Sequence, residues 1–245
     1  RIPTGIGTIE IGFAAMIATV FGLVLGPYLG AGAALLGSSV TWALTGMSPY
    51  GAPFILAPMF NALIVGLIFY KKWKYAFVAF TVMIVAFLFT PPVFPITGQT
   101  VLGGLVVDNW FIAAATVFDK VIALLLILPL AFFGKKMSLA YGSAFFLILG
   151  FIGNEADNMF GTLMYATPPV YEGIFSFSLE AVQAGLLVSP FLYPAVRIIQ
   201  AVIAMLIAVP LLRILRKTNW LWSEDNLFSQ KTTPPPPAAP VAKQT

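Results

Sequence analysis

The sequence predicts an all-α protein, a polytopic bundle of about seven transmembrane helices followed by a disordered C-terminal tail. The 245 residues are 60% hydrophobic and only 9% charged, and the mean hydropathy is +0.95, whereas soluble domains carry about 25% charged residues. The apolar residues fall into separate long stretches, and short basic or Pro/Gly-containing segments divide them. A water-soluble fold of this size could not bury so much apolar surface.

The composition also excludes several kinds of chemistry. The chain contains no cysteine and no histidine, which excludes disulfides, thiolate catalysis, iron–sulfur clusters and the commonest catalytic and metal-binding side chain. We therefore expect no cofactor, no metal site and no enzymatic activity. The net charge of +4 is concentrated at helix ends, which argues against nucleic acid as a partner. The sequence also lacks a Gly-x-x-x-x-Gly-Lys-Ser/Thr loop for binding ATP.

Seven apolar stretches define a predicted transmembrane domain over residues 1–218. A spanning helix needs about 20 residues, which the third, fifth and seventh stretches provide once their flanks are counted. Pro27, directly after Gly26, predicts a tight helix–turn–helix between the first two. The stretches are Ile11–Leu25, Tyr28–Leu44, Phe54–Tyr70, Tyr75–Phe89, Trp110–Phe133, Met137–Ile152 and Phe191–Leu215.

Two further segments complete the predicted chain. Ile174–Leu187 is expected to form a surface helix or a re-entrant helix, and the sequence leaves both alternatives open. Residues 219–245 form a Pro/Ala-rich segment, which favours extended polyproline II structure and cannot bury a core. This segment is therefore predicted to be a disordered cytoplasmic tail.

The charged residues predict the orientation in the membrane. Three basic clusters, Lys71–Lys74, Lys135–Lys136 and Arg213–Lys217, fall at alternate helix ends, so one threading of the chain places all three in the cytoplasm. The result is a multi-pass cell-membrane protein with a cytoplasmic C-terminus. Arg1 then lies outside, and we expect a further helix before it. The predicted outer loops are acidic and carry Glu10, Asp108, Glu155, Asp157, Glu172 and Glu180.

Ionisable residues inside apolar stretches are candidates for a binding site. Asp119, Lys120 and Arg197 lie within predicted helices, where an unpaired charge is costly. Asp119 is therefore predicted either to bind substrate or to pair with Arg197 and lock two helices together.

A second group of candidates lies at the predicted outer mouth. Just beyond the sixth stretch, Asn154 and Asn158 lie four residues apart and Glu155 and Asn158 three apart, so several oxygens would share a helix face. Such oxygens suit a hard cation or a positively charged organic group. The alternative is a solvated helix end. Aromatic residues near the same mouth predict either stacking on a ligand or an interfacial belt. The predicted substrate-binding residues here are Asn154, Glu155, Asp157, Asn158, Trp110 and Glu172.

Small residues recur at every fourth position of the first stretch, at Ala14, Ala18 and Gly22. Such spacing produces a smooth stripe on one side of a helix, against which another helix can pack closely in lipid. The stripe is predicted either to pack inside the bundle or to dock a separate membrane subunit.

The segment Gly26-Pro27-Tyr28-Leu29-Gly30-Ala31-Gly32-Ala33 resembles the Gly-Pro-x-x-Gly-Ala-x-x-Gly stretch of substrate-binding S components of energy-coupling factor (ECF) transporters. Thr4–Phe13 and Pro53–Lys74 resemble neighbouring parts of that family, and the likeness covers about the first ninety residues. It implies a helical bundle with an outward-facing pocket for a vitamin-like micronutrient. It also implies as partners a transmembrane T subunit, reached through Ala14 and Ala18, and two cytoplasmic ATPase subunits.

The leading interpretation is a substrate-capture subunit of an ECF-type uptake transporter, embedded in the lipid bilayer. Its small-molecule substrate is expected to be a cationic or neutral aromatic solute. Two alternatives remain open at this stage. One is a secondary transporter in which Asp119 binds the coupling ion, and the other is a structural subunit of a membrane complex.

Overall fold

The computed structural model describes residues 2–4, 7–9, 13–140 and 142–217, and this part of the chain is predominantly helical. Its strands form two antiparallel hairpins, β1 (Ile2–Thr4) with β2 (Gly7–Ile9) and β3 (Gln99–Leu102) with β4 (Leu105–Asp108). Arg1, Glu10 and the predicted tail lie outside the described residues. The helices are α1 (Phe13–Leu25), α2 (Pro27–Leu44), α3 (Ala57–Phe69), α4 (Trp73–Leu88), α5 (Asn109–Ala140), α6 (Gly142–Tyr165), α7 (Pro168–Tyr171) and α8 (Leu179–Lys217), and a 3₁₀ turn spans Ala52–Phe54.

Three helical segments in the described residues are long and apolar enough to cross a membrane. They are Ala52–Phe69, Asn109–Gly134 and Tyr193–Leu215, which match the third, fifth and seventh predicted stretches. Ala14–Leu25, Trp73–Leu88 and Leu179–Val188 are shorter apolar helices. These lengths and compositions indicate a membrane protein.

Three predicted boundaries are wrong. The sixth stretch, predicted at Met137–Ile152, is shifted, because Met137 belongs to α5 and α6 covers Gly142–Tyr165. Helix α5 continues through Gly134, Lys135 and Lys136 as far as Ala140, because lysine is a good helix former and one glycine costs only about 1 kcal/mol. Ile174–Leu187 is not a separate surface or re-entrant helix, since from Leu179 onward it belongs to α8. Helix α8 contains three prolines, and packed neighbouring helices allow a membrane helix to tolerate such breaks.

Helices α1, α2 and α3 pack at very short distances through glycines. Gly26 joins α1 to α2 with a φ of 82°, a left-handed backbone that favours glycine, so the predicted helix–turn–helix is confirmed. A Cβ on Gly22 would collide with the backbone oxygen of Ala62, and one on Gly66 would lie 2.6 Å from the Pro27 Cα. Larger side chains at these positions would force the three helices apart.

The basic turn between α3 and α4 lies at one end of the bundle. The Lys72 Nζ lies 5.1 Å from the ring centroid of Tyr28, at the start of α2. The ring of Trp73 lies 5.7 Å from that of Phe132, which precedes the lysines of α5. Two of the three basic clusters therefore lie near one end of the bundle, which we call the basic end.

The opposite end contains the β3–β4 hairpin and the α6–α8 connection. Gln183 Nε2, in the second turn of α8, donates to the Thr100 hydroxyl of the hairpin at 2.9 Å. Asp108 precedes α5, Glu172 follows α7 and Glu180 lies in the first turn of α8. We call this the acidic end.

Candidate functional site

Asp119, Lys120 and Glu155 come together inside the bundle, and the partly buried Arg197 and Asp157 are linked to them electrostatically. We call these five residues the charged cluster. Lys120 Nζ lies 2.8 Å from Asp119 Oδ1 and 3.9 Å from Glu155 Oε2. Asp119 is 2% exposed, and Lys120 and Glu155 are fully buried. The cluster therefore joins α5 to α6 through charges that water does not reach.

The polar residues of α6 lie within the helix and not at its end. Asn158 lies three residues after Glu155, and its Nδ2 donates to Glu155 Oε2 at 3.3 Å, as i,i+3 spacing on a helix allows. Asn154, Glu155 and Asn158 are all buried, and α6 runs on to Tyr165. The alternative of a solvated helix end is therefore wrong for these three residues.

Glycines of α6 allow the neighbouring helices to reach this region. A Cβ on Gly153 would collide with Asn61 Oδ1 and a Val65 methyl group of α3. A Cβ on Gly150 would lie 3.4 Å from the Ala201 Cα of α8. The sequence thus places α3 and α8 directly against the turns that precede Glu155.

A chain of amide hydrogen bonds holds the site together from the side opposite α5. Asn61 Nδ2 donates to the Ala15 carbonyl at 2.9 Å and to Asn154 Oδ1 at 3.1 Å, and Asn61 Oδ1 accepts from the Thr19 hydroxyl at 2.9 Å. Asn154 Nδ2 donates to the Arg197 carbonyl at 3.3 Å. Both polar atoms of the Asn154 side chain thus have protein partners, and its position favours holding α1, α3, α6 and α8 together over direct substrate contact.

Arg197 approaches the cluster from α8. Its Nη1 donates to Gln200 Oε1 at 2.8 Å, and its Cζ lies 5.8 Å from the Tyr193 ring. Its positive charge acts on both Glu155 and Asp157. The alternative of an Asp119–Arg197 pair is wrong, because the adjacent Lys120 is the ion-pair partner of Asp119.

Several polar atoms of the charged cluster are buried without a hydrogen-bond partner. They include one oxygen on each carboxylate, Asp119 Oδ2, Glu155 Oε1 and Asp157 Oδ2, together with Arg197 Nε. Lys120 Nζ has its ion pair but no hydrogen bond of adequate geometry. Each buried polar atom left this way costs about 1–3 kcal/mol. Such a concentration of them makes the charged cluster the candidate functional site.

Two predicted site residues lie away from the cluster. Trp110 is 54% exposed, and its indole N–H donates to Asp108 Oδ2 at 3.2 Å. It precedes Asp119 by nine residues, or about 13 Å along α5. Glu172 is exposed in the turn after α7. Both residues lie at the acidic end, and neither lies next to the other predicted binding residues.

Aromatic side chains do gather at the acidic end. Phe175 stands between Tyr50 and Tyr165, with ring centroids 5.4 Å and 5.8 Å away, and stacks on Phe177 at 5.6 Å. Tyr165 lies in the last turn of α6, ten residues or about 15 Å along the helix from Glu155. This arrangement is compatible with both a ligand-stacking site and an interfacial belt.

The predicted docking stripe lies mostly inside the bundle. Ala18 is 1% exposed and Gly22 packs on Ala62 of α3, while Ala14 is exposed. These positions favour packing within the chain, and docking of a separate subunit stays a prediction.

Asn61 was absent from the predicted site, although one signal could have identified it. It is the single strongly polar side chain in the apolar stretch Phe54–Tyr70, where an amide needs a buried partner. The predicted site also omits Lys120, although the sequence marks it as an ionisable residue inside an apolar stretch.

The described residues contain no group of three or more Asp or Glu side chains that could hold a metal ion. The arrangement instead offers unpaired carboxylate oxygens and a buried cation to a polar organic solute or a monovalent ion. Comparisons with protein-family models, with curated proteins and with solved structures found no match, so the charged cluster itself is the basis for inferring a function.

Proposed function

We propose that the chain is a multi-pass cell-membrane protein that captures a small vitamin-like solute from outside, as the substrate-binding subunit of an ECF-type uptake transporter. The observation that carries this proposal is the burial of Asp119, Lys120 and Glu155 between α5 and α6. In a membrane bundle, buried ionisable side chains are rare and mark the paths of solutes and ions.

The distribution of surface charge supports the direction of capture. Lys72 lies at the basic end, whereas Asp108, Glu172 and Glu180 lie at the acidic end. Under the positive-inside rule, the basic end faces the cytoplasm, together with the C-terminal end of α8. The solute would then enter past the aromatic residues of the acidic end.

The proposed partners follow from the resemblance at Gly26–Ala33 and from the sequence. A chain with no ATP-binding loop needs separate ATPase subunits to drive uptake. We propose the ATPase subunits as the cytoplasmic partners and a transmembrane T subunit as the membrane partner.

Isothermal titration of the purified chain in detergent against a panel of vitamins tests this proposal. One member of the panel should bind, and Glu155→Gln should weaken its binding about 10- to 100-fold, since it removes a charged hydrogen-bond acceptor. Glu180→Gln is the matched control, because Glu180 is exposed at the start of α8. Failure of every member to bind would refute the proposal.

A second candidate function is ion-coupled secondary transport. Its support is the excess of carboxylates over cations in the charged cluster, which suits a coupling proton or sodium ion. Liposomes that contain only this chain would then take up solute without ATP, and an ionophore would abolish that uptake. The ECF-type proposal predicts no sustained accumulation in the same liposomes.

A further inference from the structure

The charged cluster has an unbalanced charge. Its three carboxylates outnumber its two cationic side chains. Asp119 and Lys120 on α5 and Arg197 on α8 act on Glu155, and Arg197 also acts on Asp157 of α6. The contacts from α1 and α3 are neutral, a hydroxyl and an amide. A buried surplus charge is costly unless a counter-charge neutralises it.

Glu155 is the carboxylate that lacks a cation of its own. Lys120 Nζ is 2.8 Å from Asp119 but 3.9 Å from Glu155, so its closest ion pair is with Asp119. Arg197 acts on Asp157 as well as on Glu155. Glu155 is fully buried, so bulk water cannot supply the missing positive charge.

We propose that the charged cluster binds one monovalent positive charge, a proton on Glu155 when the site is empty and the ammonium or amidinium group of an organic cation when it is loaded. The inference rests on the proposed function, because it assumes that the solute reaches this cluster. Binding then exchanges one cation for another, and one proton leaves for each solute bound.

The available acceptor atoms fit such a group. Glu155 Oε2 already accepts from Asn158, but Glu155 Oε1 and Asp119 Oδ2 have no partner. An ammonium or amidinium group carries several N–H donors and no acceptor, so it can supply the donors that such carboxylate oxygens lack. An anionic solute would be repelled by the Asp119 and Glu155 carboxylates instead.

The exchange balances in atoms and charge. The O–H bond of the Glu155 carboxylic acid breaks, and the proton passes to the buffer. The carboxylate that remains accepts N–H hydrogen bonds from the solute. No oxidation and no co-reactant is involved.

Isothermal titration at pH 7 in phosphate and in Tris tests the inference, because the two buffers take up protons with different heats. The probes are pyridoxamine, which carries an ammonium group, and benzamidine, which carries an amidinium group, as organic cations, with riboflavin as a neutral solute and biotin as an anion. A cation should bind, and the difference in heat between the buffers should correspond to about one proton released per solute. Glu155→Gln should remove that difference, and Glu180→Gln should retain it.

The outcomes separate this inference from the proposed function. Binding of riboflavin or biotin, or binding of a cation without proton release, would overturn the inference and leave solute capture intact. Proton release on titration with NaCl but not with choline chloride would assign the site to an inorganic ion and also overturn it. Binding of no probe would overturn both proposals.

Glu155→Asp covers the case in which the glutamine variant does not fold. It keeps the titrating carboxylate, so proton release should persist with weaker binding. Loss of proton release in a folded Glu155→Asp variant that still binds the cation would contradict the assignment of the proton to Glu155.

Discussion

Lys120 is the residue whose removal should destabilise the bundle most strongly. Its ammonium is fully buried, 2.8 Å from one carboxylate and 3.9 Å from another. With an effective dielectric constant of about 20, these distances correspond to about 6 and about 4 kcal/mol of attraction. Desolvation of the ions offsets much of that attraction. Breaking a buried pair from one side nevertheless costs about 3–5 kcal/mol, because the partner charge stays behind.

Lys120→Met tests this reasoning by thermal unfolding in detergent. For a chain of this size, 1 kcal/mol shifts Tm by about 2–4 °C, so we expect a decrease of about 6–20 °C. The double variant Asp119→Leu/Lys120→Met removes the closest pair together and should recover most of that loss, because replacing a whole buried pair by apolar side chains is often neutral. A Tm unchanged in Lys120→Met, or lower in the double variant than in the single one, would refute the reasoning.

Three other outcomes follow from the packing, the amide bonds and the orientation. Gly66→Ala should lower stability by about 1–3 kcal/mol through overpacking, measured by thermal unfolding, whereas Gly32→Ala should not, because a Cβ there meets nothing within 4 Å. Asn61→Ala should cost about 1–3 kcal/mol, since it leaves the buried Asn154 Oδ1 on α6 without a donor, whereas the Thr19 hydroxyl keeps its bond to the Ala15 carbonyl. In whole cells, an impermeant thiol reagent should label Glu172→Cys but not Lys72→Cys, and the cysteine-free chain gives no background.

Each of these predictions has a result that contradicts it. Equal stability of the two glycine variants would mean that the close approach of α2 and α3 is not needed. A wild-type Tm for Asn61→Ala would mean that the hydrogen bonds of Asn61 do not stabilise the site. Labelling of Lys72→Cys from outside would reverse the proposed orientation and with it the side from which the solute enters.

Helix positions were largely predictable because apolar stretches and prolines act locally. Pro27 marks the α1–α2 turn in the sequence as it does in the structure. The end of α5 was not predictable in the same way. Two lysines after Gly134 resemble a loop in the sequence, but lysine is also compatible with a helix, and α5 continues through both.

The site was predictable in part for a similar reason. Asp119 and Glu155 stand out because charges are rare in this chain, and they do meet. The partner of Asp119 was not predictable, because consecutive helical residues project about 100° apart and sequence spacing favours i,i+3 or i,i+4 partners. Only the length of the Lys120 side chain and the position of α6 bring its ammonium between the two carboxylates.

The unequal helix lengths described above give the proposed membrane protein an uneven apolar girdle. Helix α4 has 16 residues and the apolar segment Asn109–Gly134 of α5 has 26, which correspond to about 24 Å and about 39 Å, beside a hydrocarbon layer of about 30 Å. Lipid beside the short helices would have to thin, while α5 would tilt or extend beyond the bilayer. Because of this hydrophobic mismatch, the tilt of α5 and the local thinning of the bilayer would depend on bilayer thickness.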